Sequence, residues 1–250
     1  MIEQVSIDLS NYCSKGCAFC YNSSSRVGST QWLPQEVIDF AKSCISGSVR
    51  AVSFGGGEPL EYDGIFDVIA ELYPLTYLTL TTNGLPLLER EVVRQLVINK
   101  PDKIHISLHN ADDDVELARI IEQVKLLKGI SIKPGVNLLV RASNVEYCKQ
   151  AYQQLRRLLL PDQIILIPQR FIDTPTSKQL ASVANGERFQ SPSCLLKCSR
   201  PLSFATISWD KKANWCSYAK GKQTLETLDY QGLLKALEQV RFVPCASYCD

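Results

Sequence analysis

Residues 51–84 read AVSFGGGEPLEYDGIFDVIAELYPLTYLTLTTNG. The stretch holds a short apolar run, a Gly-Gly-Gly-Glu-Pro turn, a segment with helical periodicity from Ile65 to Tyr73, and a second apolar run from Tyr77 to Thr81. That is a strand, a crossover helix and a strand, the unit that builds parallel sheets. Outward from it the rhythm repeats. Strands are expected at Val5 to Leu9, Ala51 to Phe54, Tyr77 to Thr81, Lys103 to Ser107, Gly135 to Val140 and Ile164 to Ile167. Helices are expected at Pro34 to Cys44, Ile65 to Tyr73, Glu89 to Val97, Asp112 to Leu127 and Val145 to Leu159. Six strands in this order give an α/β fold, a partial (β/α)6 TIM-like barrel with fewer strands than a closed barrel of eight.

After Pro168 the rhythm stops. Arg170 to Arg200 is rich in Ser, Pro, Gln and Thr and reads as loop. A hairpin is expected from Phe204 to Trp209, a turn at Asp210 to Asn214 and a second strand at Trp215 to Tyr218, followed by a helix from Tyr230 to Arg241. The expected division is a barrel over residues 1–168 and a small hairpin-plus-helix domain over 169–250.

The chain has 250 residues, 45% of them hydrophobic, with 27 Lys and Arg against 26 Asp and Glu. A net charge of +1 offers no basic face for a nucleic-acid backbone. No run of 18 apolar residues exists and the amino terminus lacks a signal-peptide pattern, so neither membrane nor secretion is expected and the chain is placed in the cytoplasm. Ten cysteines in a reducing compartment call for metal, catalysis or burial rather than disulfides.

Cys13, Cys17 and Cys20 fall in NYCSKGCAFCYN, directly after the first strand. Such a loop can hold three corners of an iron-sulfur cube and leave the fourth iron open to a ligand. A zinc knuckle or buried thiols would be the plainer reading, but zinc wants four ligands and no fourth is near. This loop, with Phe19 just before its last Cys, resembles that of the radical S-adenosylmethionine (SAM) enzymes, whose fold is a partial barrel of six strand-helix units. The likeness extends over residues 1 to about 168.

That resemblance implies a SAM-binding 4Fe-4S cluster on Cys13, Cys17 and Cys20. It implies that the Gly-Gly-Glu-Pro motif, here Gly56, Gly57, Glu58 and Pro59, holds the methionyl amino group. Ser107 and Arg141 match the polar residues that end the fourth and fifth strands and hold ribose and carboxylate; Asn83 is a further candidate. Reductive cleavage of SAM would give methionine and a 5'-deoxyadenosyl radical that abstracts hydrogen from a substrate.

Cys194, Cys198, Cys216, Cys245 and Cys249 lie in the tail. Their order resembles the SPASM and shorter twitch extensions, which carry auxiliary 4Fe-4S clusters, with Cys198, Cys216, Cys245 and Cys249 as matching ligands and Cys194 spare. The chain departs from that pattern at Lys211, where a hairpin glycine is usual, and in the three residues between Cys245 and Cys249. Five cysteines allow one auxiliary cluster; a structural zinc is the alternative.

Cys44 and Cys148 read as buried hydrophobes, His105 as core, His109 as a residue near the cavity, and Asp112 to Asp114 as a helix cap. No catalytic acid or base stands out. The expected function is hydrogen abstraction from a peptide, a ribosomal-peptide (RiPP) maturase. It would draw on a flavodoxin or ferredoxin for electrons; because the chain starts at its first barrel strand, a small leader-binding partner protein or the core surface is expected to recognise the precursor peptide. Alternatives are a small-molecule radical SAM dehydrogenase acting on an amino sugar or cyclitol, and a non-catalytic iron-sulfur electron carrier or scaffold.

Overall fold

The computed structural model describes residues 1–191, 200–243 and 245. Cys194, Cys198 and Cys249 lie outside the described residues. Two compact units emerge, one of residues 1–102 with 200–243 and 245, the other of residues 103–191.

In the first unit, β1 (Gln4–Ser10) runs parallel to β2 (Ala51–Gly56), and β2 runs parallel to β3 (Tyr77–Thr82). On the other side of β1 lies β7 (Phe204–Ile207), also parallel, followed by the antiparallel β8 (Lys212–Asn214) and β9 (Gln223–Thr224). The tail therefore extends the sheet that begins the chain, and residue 168 marks the end of the strand-helix rhythm rather than a boundary of compact structure.

Period-two alternation divides the faces of these strands. Val5, Ile7 and Leu9 of β1, Val52 and Phe54 of β2, and Leu78 and Leu80 of β3 are completely or almost completely buried. Their helical counterparts are Val37, Phe40 and Ala41 of α1 (Pro34–Ser46) and Val68, Ile69 and Leu72 of α2 (Ile65–Leu72). Each large side chain so buried contributes about 1.5–3 kcal/mol. The opposite face is polar. Thr206, Ser6, Ser53 and Thr79 stand in register across β7, β1, β2 and β3 as one transverse row of hydroxyls, with Asp8 opposite Gly55 one step toward the carboxyl ends.

The second unit carries β4 (Lys103–Leu108), β5 (Lys133–Val140) and β6 (Ile164–Pro168), all parallel. Helices α4 (Asp114–Gly129) and α5 (Val145–Arg156) are its crossovers, with α3 (Arg90–Ile98) preceding β4. Asp113 caps α4 by accepting from the N–H groups of Val115 (2.9 Å) and Glu116 (3.2 Å).

Two expectations are corrected. Ser177–Val183 is a helix, α6, inside the stretch read as loop; Thr176 accepts from the Gln179 N–H at 3.2 Å and starts it. The hairpin's second strand is Lys212–Asn214, not Trp215 to Tyr218, because the chain turns earlier, at Lys211. Lys211 has φ +57, the left-handed conformation for which glycine is usual. Its ammonium holds both Glu36 carboxylate oxygens at 2.8 Å and lies 5.3 Å from the Trp32 ring centre, contacts that favour the turn against the strain of that conformation. Helix α7 (Tyr230–Gln239) then packs on α1, where Gly47 makes room for the Tyr230 ring.

Candidate active site

In the first unit, β1 delivers the chain into the cysteine loop, which is folded back on itself. The Cys13 N–H donates to the Ser25 carbonyl and the Asn11 N–H to the Ser29 carbonyl, each at 3.0 Å, and Arg26 Nε donates to the Ser14 carbonyl at 2.8 Å. Glu61 fastens the loop from outside, accepting from the Ser14 N–H at 3.0 Å and from the Ser14 hydroxyl. Cys13 is buried, whereas Cys17, Cys20 and Phe19 are partly exposed.

The glycine turn is stitched to this loop. The Gly57 N–H donates to the Ser10 carbonyl (2.7 Å) and the Glu58 N–H to the Tyr12 carbonyl (2.9 Å). Gly56 has φ +102, and a Cβ at Gly57 would fall 1.8 Å from the Tyr12 carbonyl oxygen. Only glycine lets the β2 end lie so close to the residue before Cys13. Gly57→Ala is therefore expected to leave the helix content of the chain intact while cutting the iron retained after reconstitution by at least about half, as read by circular dichroism and iron analysis. Full iron content in the variant would show that the loop tolerates the shift.

Glu58 is 1% exposed and each carboxylate oxygen is engaged. Oε1 accepts from the Leu60 N–H (3.1 Å) and the Thr82 hydroxyl (2.7 Å), and Oε2 from the Asn83 N–H (2.7 Å). Burial pushes its carboxyl up to about 7 against these three bonds. Glu58 thus organises the ends of β2 and β3. Asn83 aims its Nδ2 at Cys13 Sγ, 3.5 Å away. An N–H donor toward a ligating sulfur is one of the levers that set cluster potential.

Asp8 is the residue here that motif reading passed over. It is 2% exposed, its Oδ1 has no hydrogen-bond partner, and burial raises its carboxyl from 3.8 to about 7, with the Lys222 ammonium opposing. The signal that finds it is the alternation Ser6, Asp8, Ser10 along β1. Tyr21, beside Cys20, packs at a tilt against Tyr218 with ring centres 4.8 Å apart. Cys216 and Cys245 belong to this unit, two residues beyond β8 and beyond α7 respectively.

The second unit holds Ser107 and Arg141. Ser107 is in β4, in register with Asn137 of β5. Arg141 follows β5, and its Nε donates to Gln169 Oε1 (3.0 Å) while its Nη2 donates to the His109 carbonyl (3.0 Å) and Asn110 Oδ1 (2.9 Å). His105 meets Asn137 at 3.0 Å, and burial lowers it to about 4, so it is a neutral core residue. Cys44 and Cys148 are fully buried, and burial pushes each thiol up to about 12.

A three-thiol loop laced to a glycine seat at the carboxyl ends of parallel strands is a site for an iron-sulfur cluster and a small charged ligand. The chain belongs to the radical SAM superfamily, whose family model matches residues 7–168. A probable GTP 3',8-cyclase of Methanocella arvoryzae is 29% identical over 153 residues, 59% of this chain and 48% of that protein. The GTP 3',8-cyclase of Clostridium perfringens is 28% identical over 201 residues, 76% of this chain and 58% of that protein. The chain thus spans about half the length of the curated relatives it matches. Among solved structures, Streptococcus suis SuiB bound to S-adenosylmethionine superposes with a TM-score of 0.66 at 16% identity, covering 90% of this chain and 63% of that one. The structure of anSMEcpe with bound AdoMet gives 0.68 at 16% identity, covering 97% and 80%. The fold is accordingly the α/β fold with a parallel sheet of radical SAM partial barrels.

Membership in the superfamily brings a 4Fe-4S cluster and SAM as cofactors. The donors of the loop fit the cluster: three thiols on one tightly bonded segment, with an amide donor at Cys13 Sγ. Among the described residues no three His, Cys, Asp or Glu side chains converge as they would on a single metal ion. No helix among them is long and apolar enough to cross a membrane.

Proposed function

We propose that this chain is a radical SAM enzyme that abstracts hydrogen from a peptide, in the manner of a RiPP maturase. When bound, the cluster and SAM together would supply the one-electron reductive chemistry by which hydrogen is abstracted from the substrate. The chain's own residues bind and orient. Cys13, Cys17 and Cys20 hold three irons, Gly56, Gly57 and Glu58 seat the methionyl ammonium, Ser107 the ribose and Arg141 the carboxylate, with Phe19 beside the loop and Asn83 on Cys13.

The observation that carries the peptide reading is the polar face of the first unit's sheet. Its hydroxyl row, in which Ser6, Ser53 and Thr79 are half-buried, offers donors and acceptors suited to peptide amides. In line with it, SuiB has been solved with its precursor peptide and anSMEcpe with a peptide. The sequence relatives named GTP 3',8-cyclase favour a second reading, a nucleotide substrate. Cys198, Cys216, Cys245 and Cys249 would hold one auxiliary 4Fe-4S cluster able to take the substrate radical's electron. A flavodoxin or ferredoxin would reduce the first cluster, and a small partner would present the peptide leader.

Reduced, reconstituted protein supplied with SAM tests the choice. A precursor peptide encoded beside the gene is expected to raise 5'-deoxyadenosine formation above its uncoupled rate and to emerge altered by mass, whereas GTP at about millimolar concentration, the upper end of ordinary KM values, is expected to do neither. Cyclisation of GTP would replace the peptide reading with the nucleotide one.

A further inference from the structure

The second unit buries a carboxylate for which the SAM reading has no use. Glu116 sits in the first turn of α4 and is only 6% exposed. A glutamate at this position ordinarily turns back to the N–H of the capping residue. Glu116 reaches further, to the segment just after β4: Oε1 accepts from the His109 N–H at 3.1 Å and Oε2 from Asn110 Nδ2 at 2.9 Å. Arg119 Nη2 lies 3.8 Å from Oε1 and offsets its charge, and His109 Nδ1 lies at the same distance.

Asn110 is the junction. Its amide nitrogen is committed to Glu116, so its oxygen faces the other way and accepts from Arg141 Nη2 at 2.9 Å. The same guanidinium nitrogen donates to the His109 carbonyl, a residue whose own N–H Glu116 holds. Gln169, after β6, accepts from Arg141 Nε, and its own amide nitrogen is fixed on the Ile172 carbonyl at 2.9 Å. Two amide side chains thus present oxygen to one guanidinium, and each is oriented by an acceptor behind it. Each donor of the 109–110 segment faces a different carboxylate oxygen, and an amide in the same pose has an oxygen for only one of them.

We propose that Glu116 is a positioning residue for Arg141, acting through Asn110 by deciding which end of that amide faces the guanidinium. This rests on the reading of Arg141 as the partner of the SAM carboxylate. In Glu116→Gln the new amide keeps the shape but sets an NH2 group against the Asn110 NH2 or the His109 N–H. Relief by rotation of the Asn110 amide turns a donor toward Arg141, and the guanidinium loses its seat. Adding Asn110→Asp restores the relay with reversed polarity. The new amide at 116 donates to one oxygen of the new carboxylate at 110, whose other oxygen accepts from Arg141. The double variant also conserves net charge.

The test measures the Kd of SAM on anaerobically reconstituted holoprotein by equilibrium dialysis, with thermal melting of each variant alongside. Glu116→Gln is expected to raise the Kd about tenfold, and Glu116→Gln with Asn110→Asp to return it to within about threefold of the parent, a pattern that a merely structural carboxylate does not give. In an Arg141→Ala background Glu116→Gln is expected to add nothing. An unchanged Kd in Glu116→Gln, a full further loss in the Arg141→Ala background, or no rescue by the second substitution overturns the relay. If Arg141→Ala alone leaves SAM affinity intact, the assignment of Arg141 itself is what fails.

Discussion

Cys13→Ala, Cys17→Ala and Cys20→Ala are each expected to reduce 5'-deoxyadenosine formation to background. The three thiols hang on one loop whose backbone is bonded to Ser25, Ser29, Glu61 and the β2 end, so no neighbouring side chain can be drawn in to replace a lost ligand without dismantling those bonds. With three ligands for a four-iron cube, the loss of one leaves two irons without protein bonds. Cys216→Ala gives the contrast: in the reading of an auxiliary cluster it removes about four irons per chain and spares uncoupled SAM cleavage. Iron and sulfide analysis, together with chromatography of the nucleoside product, read both results. Cleavage at the parental rate by Cys17→Ala would end the cluster assignment, and zinc in place of the irons lost with Cys216 would assign the tail to a structural metal.

The second large effect concerns Asp8. Burial raises its carboxyl from 3.8 to about 7, so the folded chain keeps a proton that the unfolded chain releases from about pH 4 upward. The folded state is favoured fully below the unfolded value, and that advantage is lost as the pH rises through about 7. About three pH units correspond to about 4 kcal/mol. Asp8→Asn removes the titration, and any fixed difference in the fit of the amide is independent of pH. Urea unfolding of the metal-free, reduced chain should show the variant gaining about 3–4 kcal/mol on the parent between about pH 4 and pH 8. Glu58, also raised to about 7, is common to both proteins and cancels in the difference. Parallel pH profiles for the two proteins would mean that Lys222 pairs with Asp8 and holds it ionised.

The strand-helix order was legible because both faces of each crossover obey simple periods: alternate apolar residues in Val5, Ile7 and Leu9, and helical spacing in Val37, Phe40, Ala41 and Cys44. The cysteine loop and the glycine turn were legible for a different reason, since each needs residue types that few other roles require at that spacing. What stayed hidden depends on partners distant in sequence. The turn at Lys211 carries no glycine because Glu36 and Trp32 stabilise it from α1 and the segment before it, and the second hairpin strand was therefore expected too late. Helix α6 is short and sits in a polar stretch, where its capping box, Thr176 with Gln179, is a weak signal beside so many loop-forming residues. Glu61, Asn110 and Glu116 announce nothing locally. Their roles exist only once Ser14 or Arg141 has been brought to them.

One neighbour relation reaches beyond catalysis. Because β7 forms a ladder with β1, the opening strand of the polypeptide has no unpaired margin on that side. A truncated chain lacking everything from residue 200 onward would bare a row of amide and carbonyl groups on β1, an invitation to edge-to-edge association with other copies. The segment from residue 200 onward is thus a sealing piece of the sheet as well as a bearer of cysteines, and synthesis must reach it before the first strand is safe from aggregation.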